Sequence, residues 1–308
     1  MSTADDQPLD AADFARLMVP FEPFERAAVI AVAVSGGRDS LALALLAHEW
    51  AAAHSGRVVG LIVDHALRPE SAAEAATTAA LLERHGCEAE ILRWSEAKPR
   101  TGLQEAARGA RYRLLRAACR RRGLLHLLVA HHADDQDETV AMRAARQSGP
   151  DGLAGMSGAV ELPEVRLLRP LLGVSRSRLT ATLLARGVPW IDDPSNADPR
   201  FERARLRAGH RPPAPVADTG RPGRERRLAA ASVEALDVSP TGEVAVDRSA
   251  FLRLGRDQQA RLLSRVVQAV GGGDHPPRRD RLDRAVGRLC GAVERGKSGS
   301  AADFTLSA

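Results

Sequence analysis

Between Ala27 and Ser148 the chain alternates short apolar runs with longer segments of helical spacing. The runs are Val29–Val34, Val58–Val63, Ala89–Trp94 and Leu124–Ala130, each rich in Val, Ile or Leu. Such runs fit parallel strands buried on both faces. Between them Leu41–Ala53, Ser71–His85, Leu103–Arg122 and Asp134–Gln147 repeat apolar residues as amphipathic helices do. Repeated strand–helix units of this size predict an α/β fold with a doubly wound parallel sheet, whose ligands bind beyond the C-terminal strand ends.

After Gly149 the rhythm changes. Gly149, Gly152, Gly155 and Gly158 punctuate a loop, followed by a short hairpin up to Arg169. A helix is predicted over Ser175–Arg186, a turn at Asp192–Asn196 and a short helix over Arg200–Ala208. Pro212, Pro213, Pro215 and Pro222 mark residues 209–224 as a Pro/Arg-rich linker. Arginine-rich helices over Asp257–Val270 and Arg278–Arg295 then form a smaller, mainly helical domain. The predicted organisation is a first domain over residues 1–208, the linker 209–224, and a second domain over 225–308.

Composition sharpens this picture in three ways. Hydrophobic residues make up 44% of the 308 and charged residues 27%, as in soluble two-domain proteins. No apolar run approaches the ~18 residues of a membrane span, and Met1–Asp10 is acidic, unlike a secretory signal. The expected compartment is therefore the cytoplasm, with no membrane partner. Cys87, Cys119 and Cys290 are scattered, odd in number, and form neither a disulfide framework nor a CxxC site. The net charge of +5 divides unevenly: residues 1–199 hold 23 basic and 26 acidic side chains, residues 200–308 hold 21 and 13. A basic second half suits a polyanionic partner. Of the 44 basic residues only Lys98 and Lys297 are lysine, a bias that a GC-rich genome produces by itself.

Candidate chemistry begins at Ser35-Gly36-Gly37-Arg38-Asp39-Ser40, between the first strand and the first helix. Two glycines let the backbone approach an anion, and the following helix directs its free N–H groups at the same point. Asp39 fits a phosphate cradle only if Mg²⁺ lies between them. GxxxxGK[ST] does not occur. The hexapeptide instead resembles the PP-loop, SGGxDS, of the ATP pyrophosphatase group. The resemblance implies a Rossmann-like ATPase domain that holds the β and γ phosphates as leaving pyrophosphate and adenylates a carbonyl.

Three further segments carry polar residues at strand ends or on helix faces. Asp64-His65, ending the second strand, either face the same crevice or cap a loop. Arg108, Arg111 and Tyr112 share one helix face, which either reaches the triphosphate or is solvated. His131-His132-Ala133-Asp134-Asp135-Gln136-Asp137-Glu138-Thr139 follows the fourth strand. Asp135 and Glu138, three apart, point the same way and suit an ammonium group. The histidine–aspartate cluster also admits a metal-site reading, and an acidic first helical turn needs no ligand at all.

Together these segments resemble the tRNA(Ile)-lysidine synthetase family. His131–Thr139, Met142-Arg143 and Gly152-Leu153-Ala154-Gly155-Met156 are similar to its HHADDQxET…GLAGM signature, as are Val63–Ser71, Arg169–Val174 and Asp193–Asn196. The resemblance runs from about Phe14 to Arg207. It implies ATP and Mg²⁺ at Ser35, Gly36, Gly37, Arg38, Asp39 and Ser40, with Asp39 near the metal and His65, Arg111 and His131 on the ATP side. It implies L-lysine at Asp135 and Glu138, which with Asp39 form the catalytic set. It implies isoleucine tRNA bearing a CAU anticodon as substrate, with Arg203, Arg205 and Arg207 contacting tRNA and residues 225–308 forming a tRNA-binding domain. The cytosine C2 oxygen at the first anticodon position (34) attacks the α phosphate, and the lysine ε-amine then displaces AMP.

Two departures stand out. Arg203-Ala204-Arg205-Leu206-Arg207 replaces the family's RNRIR, and the region after residue 208 is weakly similar, as in a short or truncated form. The rival readings are a thiolating or amidating PP-loop enzyme and an inactive nucleotide- or tRNA-binding relative.

Overall fold

The computed structural model describes residues 7–99, 101–145, 153–191, 221–271, 277–294 and 304–306. These divide between two compact units, Met1–Asp218 and Thr219–Ala308.

In the first unit, β1 (Val29–Val34), β2 (Arg57–Asp64), β3 (Glu88–Arg93), β4 (His126–Leu128), β5 (Ala159–Glu161) and β6 (Arg166–Leu168) form one sheet in the order β3-β2-β1-β4-β6-β5. Every pairing is parallel except the β5–β6 hairpin. The helices are α1 (Ala11–Met18), α2 (Arg38–Ala53), α3 (Ser71–Arg84), α4 (Leu103–Arg122), α5 (Ala133–Ala145) and α6 (Arg176–Ala185). The doubly wound parallel sheet is as expected. β4 is shorter than its apolar run, because Val129 N–H turns to the Leu168 carbonyl (3.0 Å) and leaves the β1 ladder.

Side-chain alternation explains the two layers. Ile30, Val32, Val58 and Ile62 pack under Phe14, Met18, Leu43, Leu46, Leu82, Leu179 and Leu183 of α1, α2, α3 and α6. Ala31, Val59, Leu61 and Leu127 face Leu115, Ala118 and Cys119 of α4. β1, β2 and β4 are thus largely buried on both sides, which is why their sequences read as apolar runs and not as alternations, while the edge strand β3 is more exposed.

Helix α1 lies before the region read as regular. Asp10 caps it by accepting from Asp13 N–H at 2.7 Å, and Leu9 N–H reaches Thr182 Oγ1 at 2.9 Å. Its eight residues are too few for a periodic signal, yet Phe14 and Met18 are wholly buried.

The second unit contains α7 (Arg221–Ala235), β7 (Leu236–Val238), β8 (Val244–Val246), α8 (Arg248–Arg253), α9 (Arg256–Gly271), α10 (Arg279–Glu294) and β9 (Phe304–Leu306). It is mainly helical, as expected, and also contains a small antiparallel sheet ordered β7-β8-β9. Leu228, Val246, Phe251, Leu262, Leu263, Leu282 and Val286 share its core. Helix α7 starts at Arg221, inside the stretch read as a linker. Pro222 is tolerated there because the first helical turn has no i−4 acceptor to lose. The predicted turn at 192–196, the helix at 200–208 and the remainder of the linker lie outside the described residues.

Phe14→Ala is expected to destabilise the protein by ~3–5 kcal/mol in urea unfolding, as buried Phe truncations do. Leu184→Ala, at an exposed site (64%), is expected to change stability by less than ~0.5 kcal/mol.

Candidate active site

The strand order reverses between β1 and β4: the chain moves outward from β1 to β2 and β3, then returns to β4 on β1's other side. Crevices form at such reversals, beyond the carboxyl ends of the strands. Ser35–Ser40 follows β1 into this crevice and His131–Glu138 follows β4.

In the Ser35–Ser40 loop, Gly36 is held where a side chain has no room. Gly36 has φ +80°, and a Cβ there would stand 2.5 Å from Thr78 Oγ1 on α3. Ser40 Oγ donates to Gly37 O (2.9 Å) and accepts from Ser35 N–H (3.1 Å). Ile191 N–H clasps Gly36 O at 3.0 Å. Gly37 begins α2 without a side-chain cap. The first-turn amides therefore face the crevice with the positive end of the helix dipole behind them, as a phosphate site requires.

His132, buried at 2% exposure, joins the two strand ends. Its Nε2 lies 3.5 Å from Asp39 Oδ2 and 3.5 Å from Asp135 Oδ2, and its backbone N–H donates to Asp135 Oδ2 at 3.1 Å. Burial opposes a charged imidazole, but the Asp39 contact and the charges of Asp135, Asp39 and Asp134 prevail and raise its pKa. Burial likewise pushes Asp39 upward, but His132, Arg176 and Arg38 outweigh it and hold the carboxyl below its usual range. Sequence reasoning placed His131 on the ATP side and gave His132 no role. In the structure His131 Nδ1 accepts from Arg169 Nε (3.2 Å), while Arg169 Nη1 also donates to Ser157 O (2.8 Å).

Several buried polar atoms at or near these strand ends make no hydrogen bond among the described residues: Arg38 Nε, Asp39 Oδ1, His65 Nδ1, Arg111 Nε, Tyr112 OH, His132 Nδ1 and Arg176 Nε. Buried polar groups are nearly always partnered, so this concentration makes the crevice a candidate site for a polar ligand. An anionic nucleotide suits the arginines and the amide cradle. Mg²⁺ suits Asp39 Oδ1, since this ion takes one or two carboxylates and draws its other ligands from phosphates and water. Among the described residues no three His, Cys, Asp or Glu side chains converge as a protein-only metal site would need. The metal-site reading of the histidine–aspartate cluster therefore has no protein ligand set among those residues.

Asp64 is a loop-building residue. Its Oδ1 accepts from Ser71 Oγ (2.7 Å) and Ala66 N–H (2.8 Å), which holds Ala66 at φ +49°. His65 is thereby turned toward Trp94, in an edge contact with ring centroids 6.3 Å apart. Burial first, then Arg111 and Lys98, lower its pKa against the opposing pull of Asp64. Arg108 and Arg111 both lie over the Tyr112 ring, at 5.3 and 5.6 Å.

On α5, Asp135 and the buried Glu138 stand one turn apart. The same helix anchors the Gly155-Met156 loop. Gln136 exchanges two hydrogen bonds with the Met156 backbone (2.6 and 3.1 Å), and Arg143 Nη1 donates to Gly155 O at 2.8 Å. Gly155 has φ +70°, and a Cβ would press on Gln136. The predicted tRNA-contacting residues Arg203, Arg205 and Arg207 lie outside the described residues.

Comparison with known proteins follows the same lines. Residues 10–212 match the family model described as a PP-loop domain. The chain is 40% identical over 323 residues to the tRNA(Ile)-lysidine synthase of Bradyrhizobium sp. (strain BTAi1 / ATCC BAA-1182), covering 95% of this chain and 89% of the relative. It is 42% identical over 311 residues to that of Methylobacterium sp. (strain 4-46), covering 94% and 89%. With that of Rhodopseudomonas palustris the identity is 48% over 209 residues, covering 67% and 60%. Among solved structures, the U34-tRNA thiolase NcsA from Methanococcus maripaludis with its [4Fe-4S] cluster overlays with a TM-score of 0.53 at 17% identity, over 70% of this chain and 78% of that one. That likeness is one of fold.

Asp64 offers a test of the loop geometry. Burial raises its pKa, but Ser71, the Ala66 N–H, Arg93 and His65 overcome this and hold it below 3.8. A lowered carboxylate pKa adds stability above the unfolded value and loses it as the pH falls through the folded one. Asp64→Asn is expected to cost ~1–3 kcal/mol in urea unfolding at pH 7, and the gap to the parent protein should close as the pH is taken below 3.8.

Proposed function

The chain belongs to the tRNA(Ile)-lysidine synthase family, and on that premise we propose how its crevice carries out the reaction. The protein is a PP-loop ligase that forms lysidine in tRNA(Ile) at the expense of ATP. The His132 bridge carries the residue assignments that follow. By touching Asp39 and Asp135 at 3.5 Å each, it makes the phosphate loop and the acidic face of α5 parts of one site.

The β and γ phosphates of ATP lie on Ser35, Gly36, Gly37 and Ser40 at the N-terminus of α2, with Arg38, His65 and Arg111 contributing around the nucleotide. His131 acts on the ATP side through the ring orientation that Arg169 imposes. Asp39 binds Mg²⁺, which supplies charge neutralisation for the triphosphate. The C2 oxygen of the cytosine at position 34 of the CAU anticodon forms a bond to the α phosphorus. The bond from that phosphorus to the bridging oxygen breaks, and pyrophosphate leaves with the electron pair. The adenylated C2 is then open to an amine.

L-lysine is the nucleophile. Its ε-ammonium is held by Asp135 and Glu138, which take a proton and deliver the free amine to C2 as AMP departs. His132 orients Asp135 for this through its ring and its backbone N–H. The amine does not compete with a thiol in this site. Cys87 and Cys119 are buried in the layers on opposite faces of the sheet, and burial pushes their pKa values up to about 11 and about 12. Neither is fit to serve as a persulfide carrier or cluster ligand, which disfavours the thiolating reading.

Residues 225–308 bind the body of the tRNA. The groove between α9 and α10 supports this, with an apolar floor that includes Leu263, Leu282 and Leu289 and a rim of Arg281, Arg284 and Arg288 spaced along one face of α10. The cytoplasm, where ATP, tRNA and lysine meet, is the proposed compartment. No helix among the described residues is long and apolar enough to cross a membrane.

The decisive assay incubates labelled lysine, ATP and Mg²⁺ with isoleucine tRNA bearing CAU, or with the same tRNA carrying U at the first anticodon position. Label is expected on the first and not the second. Asp39→Ala should abolish tRNA-dependent pyrophosphate release. Glu138→Ala should slow lysine transfer at least ~10-fold more than pyrophosphate release, and equal losses in both steps would reject the division of labour.

A further inference from the structure

Helix α6 brings a second arginine to the PP-loop from 138 positions beyond Arg38. Arg176 is its first residue, and three contacts fix where that end of the helix lies. Val174 O accepts from Ala133 N–H at 2.9 Å, which ties the approach to α6 directly to the residue after His132. Thr180, one turn beyond Arg176 on the same face, accepts from Arg38 Nη1 at 3.0 Å through Oγ1 and returns its hydroxyl proton to Arg176 O at 3.0 Å. Ser175 caps the helix through Arg178 N–H, leaving the Arg176 side chain outside the cap.

The start of α6 thus lies beside the PP-loop, near enough for the Arg176 charge, with that of Arg38, to lower the pKa of Asp39. Among the described residues Arg176 Nε is buried and makes no hydrogen bond, as is true of Arg38 Nε and Asp39 Oδ1. A guanidinium with a buried, uncommitted Nε–H near a helix N-terminus that has no side-chain cap has the chemistry of an oxyanion clamp, and its planar fork matches phosphate oxygens.

We propose that Arg176 is a ligand of the terminal phosphates of ATP, closing the PP-loop cradle from α6 and stabilising pyrophosphate as it departs. The inference rests on the reading of Ser35–Ser40 as the phosphate site. Arg38 is committed in part to Thr180 and lies 5.6 Å over the Trp190 ring. Arg176 Nε, like Arg38 Nε, is without a hydrogen-bond partner among the described residues, and the arriving phosphates would supply one.

The test uses the full chain and isothermal titration with inorganic pyrophosphate–Mg²⁺ and, separately, AMP. Arg176→Gln should weaken pyrophosphate on the order of 10- to 100-fold, the range for charge-assisted hydrogen bonds, and leave AMP within about twofold. Arg176→Lys keeps the charge but loses the fork, and should fall between. It decides the matter if the Gln variant does not fold. Pyrophosphate affinity unchanged in Arg176→Lys and Arg176→Gln, or equal losses for pyrophosphate and AMP, would mean a purely structural arginine and overturn the proposal. Gly36→Ala separates the two levels. If it loses pyrophosphate while Arg176→Gln retains it, the cradle stands and the clamp falls. If the parent protein binds neither pyrophosphate nor ATP, the phosphate-site reading fails and the clamp with it.

Discussion

The β1–β4 pairing, three residues long from Ile30↔His126 to Val32↔Leu128, decides where chemistry can happen in this protein. It places two chain segments almost a hundred residues apart side by side and ends both at the same edge of the sheet. Both strands are buried in packed layers, so neither can slip: a one-residue shift would turn Ile30 and Val32 toward α4 and Ala31 toward α2. A rigid register fixes the distance between the glycine loop and the histidine pair, and that distance lets one imidazole touch carboxylates from both.

The electrostatics of that contact explain the composition of the site. An imidazolium buried alone would lose its proton, and two carboxylates brought together alone would repel. At a protein-like dielectric of about 20, opposite charges ~4 Å apart attract by ~4 kcal/mol, and His132 has such a partner on each side. This offsets the desolvation of the three groups and holds the Asp39 carboxyl below its usual range. The arginines around them belong to the other half of the charge pattern. Arg38 and Arg176 stand where a polyphosphate would bring more negative charge than the cradle amides alone can balance.

Much of this was legible from residue order. The boundaries of β1 and α4 follow from apolar runs and spacing, because both lie in packed layers where periodicity and burial coincide. The glycine loop was legible because strand, glycines and helix occur in sequence. What escaped was long-range. His131 and His132 are adjacent and chemically identical, and only the Arg169 contact, made from beyond the β5–β6 hairpin, separates the oriented ring from the bridging one. Arg176 looked like one arginine among many. Asp64 could be read as facing the crevice or as capping a loop, and its partners Ser71 and Ala66 make it the builder of the loop that turns His65 toward Trp94. The small sheet of the second unit was hidden because its strands are three residues each, too short for an alternating pattern.

The strap formed by Trp190 and Ile191 has a consequence for observing the protein at work. Ile191 N–H holds the Gly36 carbonyl, and the half-buried Trp190 ring lies 5.6 Å beneath the Arg38 guanidinium. The other two tryptophans, Trp50 and Trp94, are buried, with 7% and 3% exposure. Any movement of Arg38 toward a bound anion changes the local field on one indole and leaves the other two largely undisturbed. The chain therefore carries its own optical reporter of loop occupancy, readable as a change in ultraviolet emission without a dye or an added label.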